Sequence, residues 1–347
     1  MLFSRRTSLS FLYYGVSSIT PKAATALSRM VSSDTPTSSI RGKTLITVDD
    51  AIQKSHNSNV KFIDGSWWLG GERNGRKEFE AGPRIANARF LDIDDISTTS
   101  DNLPHMMPSS LLQSKYMDAM VISENDHVIV YGAQDCMFIT RAYWQMKTMH
   151  PRGLCQLLDG SLQDWIDANG PVEAKGRPSY SVVDSDNLTK DKTKTIYKAT
   201  NAQNVIDMEE LQTLIAEGKT VDKDSGVLVV DARSPERFSG EVEEPRPGLR
   251  RGHMPGAKNL FFLDLLDPNN KNKFKPKQEL KRIIQEAGIT LPLCPGSKII
   301  SSCGSGVTAC ALLTALDILD EDPSYTYLYD GAWAQWGNQP DTAITKG

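Results

Sequence analysis

Short runs of apolar residues alternate with longer amphipathic stretches along most of the chain. Val128-Ile129-Val130-Tyr131, Val227–Val230 and Lys298–Ser301 are brief and rich in β-branched residues, as buried strands are. The stretches Met208–Glu217, Gln278–Ala287 and Thr308–Leu319 carry apolar residues at helical spacing. Short buried strands that alternate with helices predict an α/β fold whose mainly parallel sheets are covered on both faces by helices.

The pattern occurs twice. Ile63-Asp64-Gly65-Ser66 is echoed by Val230-Asp231-Ala232-Arg233, and Arg84-Ile85-Ala86-Asn87-Ala88 by His253-Met254-Pro255-Gly256-Ala257. Val128–Tyr131 returns as Ile299–Ser302, and Leu158–Trp165 as Tyr329–Trp336. Asp231 stands 167 residues after Asp64, Met254 169 after Ile85, Ile299 171 after Val128 and Trp336 171 after Trp165. Four segments in nearly constant register imply duplication of one domain, with small loop insertions absorbing the drift. Between the copies, Glu173 to Tyr197 is polar and rich in Lys, Asp, Ser and Thr, as linkers are. The expected division is 1–40 as a leader or tail, 41–175 as a first domain, 176–197 as a linker and 198–347 as a second domain. A length of 347 residues suits two domains that each bury a core.

Composition narrows the function classes. A net charge of -4 gives no reason to expect nucleic acid as a partner. No apolar run reaches the 18 or so residues of a membrane-spanning helix, so no membrane partner is expected. The five cysteines (136, 155, 294, 303 and 310) are too scattered for a disulfide scaffold and include no CxxC pair, which argues against a zinc site. The first 33 residues hold Arg5, Arg6, Lys22 and Arg29, many Ser and Thr, and no acidic residue. That composition is expected of a mitochondrial transit peptide, with a plastid or secretory leader as rivals and Met30 as a second start for a cytoplasmic form.

One loop carries candidate chemistry. Cys303-Gly304-Ser305-Gly306-Val307-Thr308 follows a predicted strand and opens a predicted helix. Ligands of parallel α/β sheets bind at this end of the strands. Two glycines let the backbone turn tightly and aim several N–H groups at one point, and the helix N-terminus adds positive potential. Thiols in such surroundings ionise more readily than free cysteine and become nucleophiles. A phosphatase of the Cys-x5-Arg type is excluded, because the sixth residue after Cys303 is Ala309.

The segment Cys303-Gly-Ser-Gly-Val-Thr-Ala-Cys310 resembles the active-site loop of 3-mercaptopyruvate sulfurtransferases. Gly252-His-Met-Pro-Gly-Ala257 and Tyr329-Asp-Gly-Ala-Trp333, together with the tandem repeat, are similar to the rhodanese superfamily. The resemblance spans about residues 43 to 340 and implies two tandem rhodanese-like domains, of which only the second is catalytic. Gly132 stands at the position of Cys303 in the first copy, in keeping with a silent first domain. The resemblance implies a persulfide on Cys303, a small-molecule sulfur donor, and thioredoxin or a small thiol as acceptor, without metal or organic cofactor. Arg237 and Arg246 match the family's substrate arginines, and Gly304, Gly306, Val307 and Thr308 complete the expected binding loop. Ser305 is paired in the family with a His and an Asp of the first domain, here His105 and Asp94. Arg233 is expected to pair with a nearby acid, and His253 to be structural. The neutral Gly304-Ser305 pair favours mercaptopyruvate over thiosulfate, whose dedicated enzymes carry cations in this loop. A thiosulfate sulfurtransferase and a non-enzymatic sulfur-relay module remain as alternatives. One departure is Arg84-Ile-Ala-Asn-Ala88 where the family has His-Ile-Pro-Gly-Ala.

Overall fold

The computed structural model describes residues 43–71, 73–97, 103–152, 154–174 and 194–347. The expected leader (1–40) and nearly all of the expected linker lie outside them. The strands are β1 (Leu45–Ile46), β2 (Val60–Asp64), β3 (Arg84–Ile85), β4 (Arg89–Phe90), β5 (His127–Tyr131), β6 (Cys155–Leu158), β7 (Val172–Glu173), β8 (Val205–Ile206), β9 (Val227–Asp231), β10 (Lys258–Asn259), β11 (Leu266–Asp267), β12 (Asn270–Phe274), β13 (Lys298–Ser302) and β14 (Thr326–Tyr329).

Two five-stranded parallel sheets form, in the orders β1-β6-β5-β2-β4 and β8-β14-β13-β9-β10. These are the same topology, and the repeat is visible down to register. Tyr131 lies opposite Asp64 in the first sheet as Ser302 lies opposite Asp231 in the second. The predicted helices lie at Met208–Ala216, Lys277–Glu286 and Ala309–Ile318. The last of these has nearly every residue buried, because it packs against the helix Thr140–Met149 of the first copy. Apolar side chains cross between the halves. Val307 packs into the core of the first copy and Trp144 into that of the second.

The departure at Arg84 has a local explanation. Arg84 is buried, pairs with Glu173 at 3.0 Å and donates to the Phe79 carbonyl at 2.8 Å. Asn87 adopts φ +59° where the second copy has Gly256 at +76°. Asparagine tolerates this left-handed conformation better than other side chains, so the turn survives without glycine. Residues 195–200 lie against the first copy: the N–H groups of Ile196 and Tyr197 donate to Asp118, and the Tyr197 hydroxyl meets His150 Nδ1 at 2.5 Å.

The copies differ at the ends of β2 and β9. Asp231 is neutralised by Arg233. Its counterpart Asp64 has Ser66 two residues on and accepts hydrogen bonds from Ser66 N (2.9 Å) and Oγ (2.5 Å). Burial without a cation pushes Asp64 up to about 6. A carboxyl raised above its unfolded value stabilises the fold in its protonated form; the contribution is complete below about pH 4 and is lost as pH rises through 6. Asp64→Asn is therefore expected to gain on the order of 2 kcal/mol at pH 7.5 and little at pH 4.5, read by urea denaturation at both pH values.

Candidate active site

Cys303 follows β13 and opens the loop that leads into the helix Ala309–Ile318, with only 2% of its surface exposed. The short helix Ala332–Trp336 explains the loop's shape. Its Trp333 and Ala334 N–H groups donate to the carbonyls of Cys303 and Gly304, both at 2.9 Å. Arg141 and the Cys310 thiol take the Gly306 carbonyl at 3.3 and 3.4 Å. With these carbonyls drawn outward, the amides turn the other way. Among the described residues, none accepts a hydrogen bond from the N–H groups of Gly304, Ser305, Gly306, Val307 or Thr308. Gly306 sits at φ +79°, and a Cβ there would stand 2.8 Å from both the Asp330 carbonyl and its Oδ1. The result is a ring of free donors at the head of a helix, suited to an anionic sulfur or carboxylate.

The second copy also supplies the cations. Arg237 lies over the loop: a Cβ on Gly304 would come within 2.9 Å of its Nη2, so that guanidinium fills the space a side chain at 304 would need. Its Nη2 donates to Glu244 Oε2 at 2.6 Å, and its buried Nε donates to no protein atom. Arg246 is half-buried. Burial pulls its guanidinium below the usual range against the opposing effect of Cys303, and nearby Arg237 pulls in the same direction as burial. Glu244 is buried between two guanidiniums, accepting also from Arg233 Nη1 at 2.7 Å. Arg233 in turn forks onto Asp231 (2.6 Å), donates to the Gly252 carbonyl (2.8 Å) and lies over the Trp333 ring. It is a structural residue, as its pairing predicts. His253 stacks on Phe238 at 3.8 Å and meets its carbonyl at 2.9 Å, also a structural setting.

The first copy reaches in from the other side. His105 Nδ1 meets Ser305 Oγ at 3.2 Å, and its Nε2 meets Asp94 Oδ1 at 2.9 Å. His105 and Ser305 are buried, whereas Asp94 is more than half exposed. Burial raises the Asp94 carboxyl, but hydrogen bonds from His105 and from Trp67 Nε1 (2.8 Å) outweigh it and hold the group below its usual value. Trp67 also sets its ring edge against His105 at 4.9 Å. The histidine therefore has one nitrogen on a carboxylate and the other on a hydroxyl, the arrangement that carries a proton between them.

The structure thus gathers Cys303, Ser305, His105, Asp94, Arg237, Arg246 and the amides of Gly304, Gly306, Val307 and Thr308 in one place. The Val307 side chain turns into the core of the first copy, so only its backbone faces the cradle. Sequence reasoning missed Trp67, Glu244, Arg141 and Asp330.

In the first copy the matching loop is closed off. Ala133 N–H donates to Ser66 Oγ (2.7 Å), Asp135 N–H to Asn272 Oδ1 (2.8 Å), and Asn272 Nδ2 to the Ala133 carbonyl (3.0 Å). Asn272 comes from the β11–β12 hairpin of the second copy. Cys136 is buried and pushed up to about 11 by that burial, which makes it a poor nucleophile. Cys310 is likewise pushed up to about 12. Among the described residues no cluster of three His, Cys, Asp or Glu side chains is placed to hold a metal, and no helix is long and apolar enough to cross a membrane.

The rhodanese-like domain family matches residues 207–339. The mitochondrial thiosulfate/3-mercaptopyruvate sulfurtransferase 1 of Arabidopsis thaliana is 30% identical over 305 residues, which cover 86% of this chain and 77% of that protein. The 3-mercaptopyruvate sulfurtransferase of Escherichia coli K12 is 32% identical over 278 residues, covering 79% of this chain and 86% of that protein. The crystal structure of SseA from Escherichia coli, described as a 3-mercaptopyruvate sulfotransferase of rhodanese fold, superposes with a TM-score of 0.67 at 27% identity, over 84% of this chain and 99% of SseA. The chain belongs to the 3-mercaptopyruvate sulfurtransferase family of the rhodanese superfamily.

Proposed function

We propose that the chain takes sulfur from 3-mercaptopyruvate onto Cys303 and passes it to a thiol, releasing pyruvate. The observation that carries this reading is the meeting of a thiol in a cradle of free N–H groups, Arg237 over the loop with Arg246 in electrostatic reach of Cys303, and a Ser305–His105–Asp94 chain beside it. Arg237 and Arg246 are suited to the donor's carboxylate, which the guanidinium fork binds through two parallel hydrogen bonds. The Cys303 thiolate attacks the donor sulfur. An S–S bond forms, the C–S bond breaks, and its electron pair leaves on the three-carbon fragment as the enolate of pyruvate. Ser305 hands that carbon a proton and regains one from His105, while Asp94 steadies the histidine in the required tautomer. The proton that Cys303 gave up on ionising closes the balance. The loop amides stabilise the persulfide anion. An acceptor thiolate then attacks the outer sulfur and frees Cys303; thioredoxin or a small thiol fits that role chemically, and cyanide serves in the test tube.

Thiosulfate is the rival donor. It leaves as sulfite, which needs no proton, so it makes no use of the Ser305–His105–Asp94 chain. That chain favours the keto-acid donor. Mass spectrometry after incubation with mercaptopyruvate is expected to find one added sulfur atom on the peptide that contains Cys303; addition elsewhere, or a kcat/KM larger for thiosulfate, overturns the reading. In this scheme residues 41–175 form the silent domain, 176–197 the linker and 198–347 the catalytic domain. The basic, serine-rich first 40 residues support delivery to mitochondria, to which N-terminal sequencing of the native protein speaks.

A further inference from the structure

The Ser305–His105 contact crosses from one copy to the other, and something must hold the two loops in register. Neither residue is anchored by its own side of the contact alone. His105 has φ +61°, a left-handed conformation that histidine tolerates better than most side chains but that is still uncommon outside glycine. Ser305 lies in a loop whose amides are unpaired.

A buried ion pair stands behind both. Arg141, from the first turn of the helix Thr140–Met149, is 1% exposed, and Asp330, at the end of β14, is 2% exposed. Arg141 Nη1 donates to Asp330 Oδ1 at 2.8 Å. Besides the Cys310 thiol beside Arg141, the pair reaches backbone on either side of the catalytic dyad. Arg141 Nη2 donates to the His105 carbonyl, and Arg141 Nη1 to the Gly306 carbonyl at 3.3 Å. Asp330 Oδ2 accepts from Met107 N–H at 2.6 Å. One guanidinium thus grips the residue that carries the imidazole and the residue next to the one that carries the hydroxyl, and its counter-ion grips the His105 loop two residues further on. No other residue type has the planar fork to do this; lysine offers a point charge.

We infer that Arg141 and Asp330 are positioning residues for the proton relay, setting the His105–Ser305 distance across the seam between the copies. The inference rests on the proposed role of His105. It separates the pair from an ordinary buried ion pair, whose loss would weaken the fold without regard to His105. Misplacing a catalytic group by about an ångström costs on the order of 10²-fold in rate.

A double-mutant cycle on pyruvate release tests this in the full-length protein. Variants Asp330→Asn, His105→Ala and their combination are compared with wild type, mercaptopyruvate being the donor throughout. His105→Ala alone is expected to lower kcat on the order of 10²-fold. Asp330→Asn alone is expected to lower kcat at least tenfold with a smaller change in KM, and to add nothing in the His105→Ala background. Arg141→Lys is expected to follow Asp330→Asn. Should the single-charge variants fail to fold, the apolar pair Arg141→Met/Asp330→Leu fills the same space without an unpaired charge and enters the cycle instead. Losses that multiply, or an Asp330→Asn enzyme as fast as wild type, overturn the positioning role while leaving the relay intact. A His105→Ala enzyme with unchanged kcat overturns the relay itself, and the positioning role with it.

Discussion

Cys303→Ser is expected to lower pyruvate release from mercaptopyruvate by about 10³-fold or more, while the protein keeps its fold. The side chain is nearly the same size, so packing is little disturbed. Chemistry is another matter. A serine hydroxyl does not ionise near neutral pH and does not form a sulfur–sulfur bond that the acceptor can break. The other four cysteines offer no substitute. Cys136, Cys155 and Cys310 are buried, and each is pushed upward by that burial. Cys294 is exposed, on the loop that leads into β13 at the end of the strand opposite Cys303. Assays of pyruvate release, with circular dichroism as the control on folding, decide the matter. A variant that kept wild-type turnover would refute every version of the mechanism that runs through Cys303.

The largest expected effect on stability belongs to Arg233→Met. Arg233 lies between Asp231 and Glu244, and all three are almost entirely buried. Removing the guanidinium leaves Asp231 without its cation and Glu244 with Arg237 alone, in a site that water hardly reaches. Breaking a buried pair by deleting one partner costs about 3–5 kcal/mol, which in a chain of this size lowers Tm on the order of 10 °C. The deficit has a pH signature. A buried carboxylate that has lost its cation has a raised pKa, so the variant regains stability as pH falls through the range where Asp231 protonates. Thermal unfolding at pH 7.5 and at pH 5 checks both statements, and a deficit that grew on acidification would contradict the account. The same variant frees Glu244, which also holds Arg237, so the KM for mercaptopyruvate is expected to rise.

Much of this was legible in the sequence, for identifiable reasons. The duplicated sheet announced itself because buried parallel strands must be continuous runs of Val, Ile and Leu, and two sets of such runs stood in register. The cysteine loop was legible because Gly304 and Gly306 flank Ser305 immediately after a strand. His105 and Asp94 were legible only through resemblance; nothing in their spacing places either beside Ser305, 200 residues from His105. Arg141 and Asp330 were opaque for the same reason in stronger form. Their partners are mostly backbone atoms of other segments, and backbone atoms leave no mark in a sequence. That Val307 contributes its backbone to the loop and its side chain to the core of the first copy is likewise not readable from the motif.

The β11–β12 hairpin gives the duplication a direction. Asn272 of the second copy fills the loop of the first copy, which has Gly132 where the second has Cys303, while the first copy sends His105 and Arg141 into the cysteine loop. Each half relies on groups that the other provides. Such reciprocal dependence works like a ratchet: a gene carrying either half by itself would encode neither a complete catalyst nor a satisfied surface. From that point selection sees the pair as a single heritable unit, and the copies are free to diverge everywhere except along the seam they share.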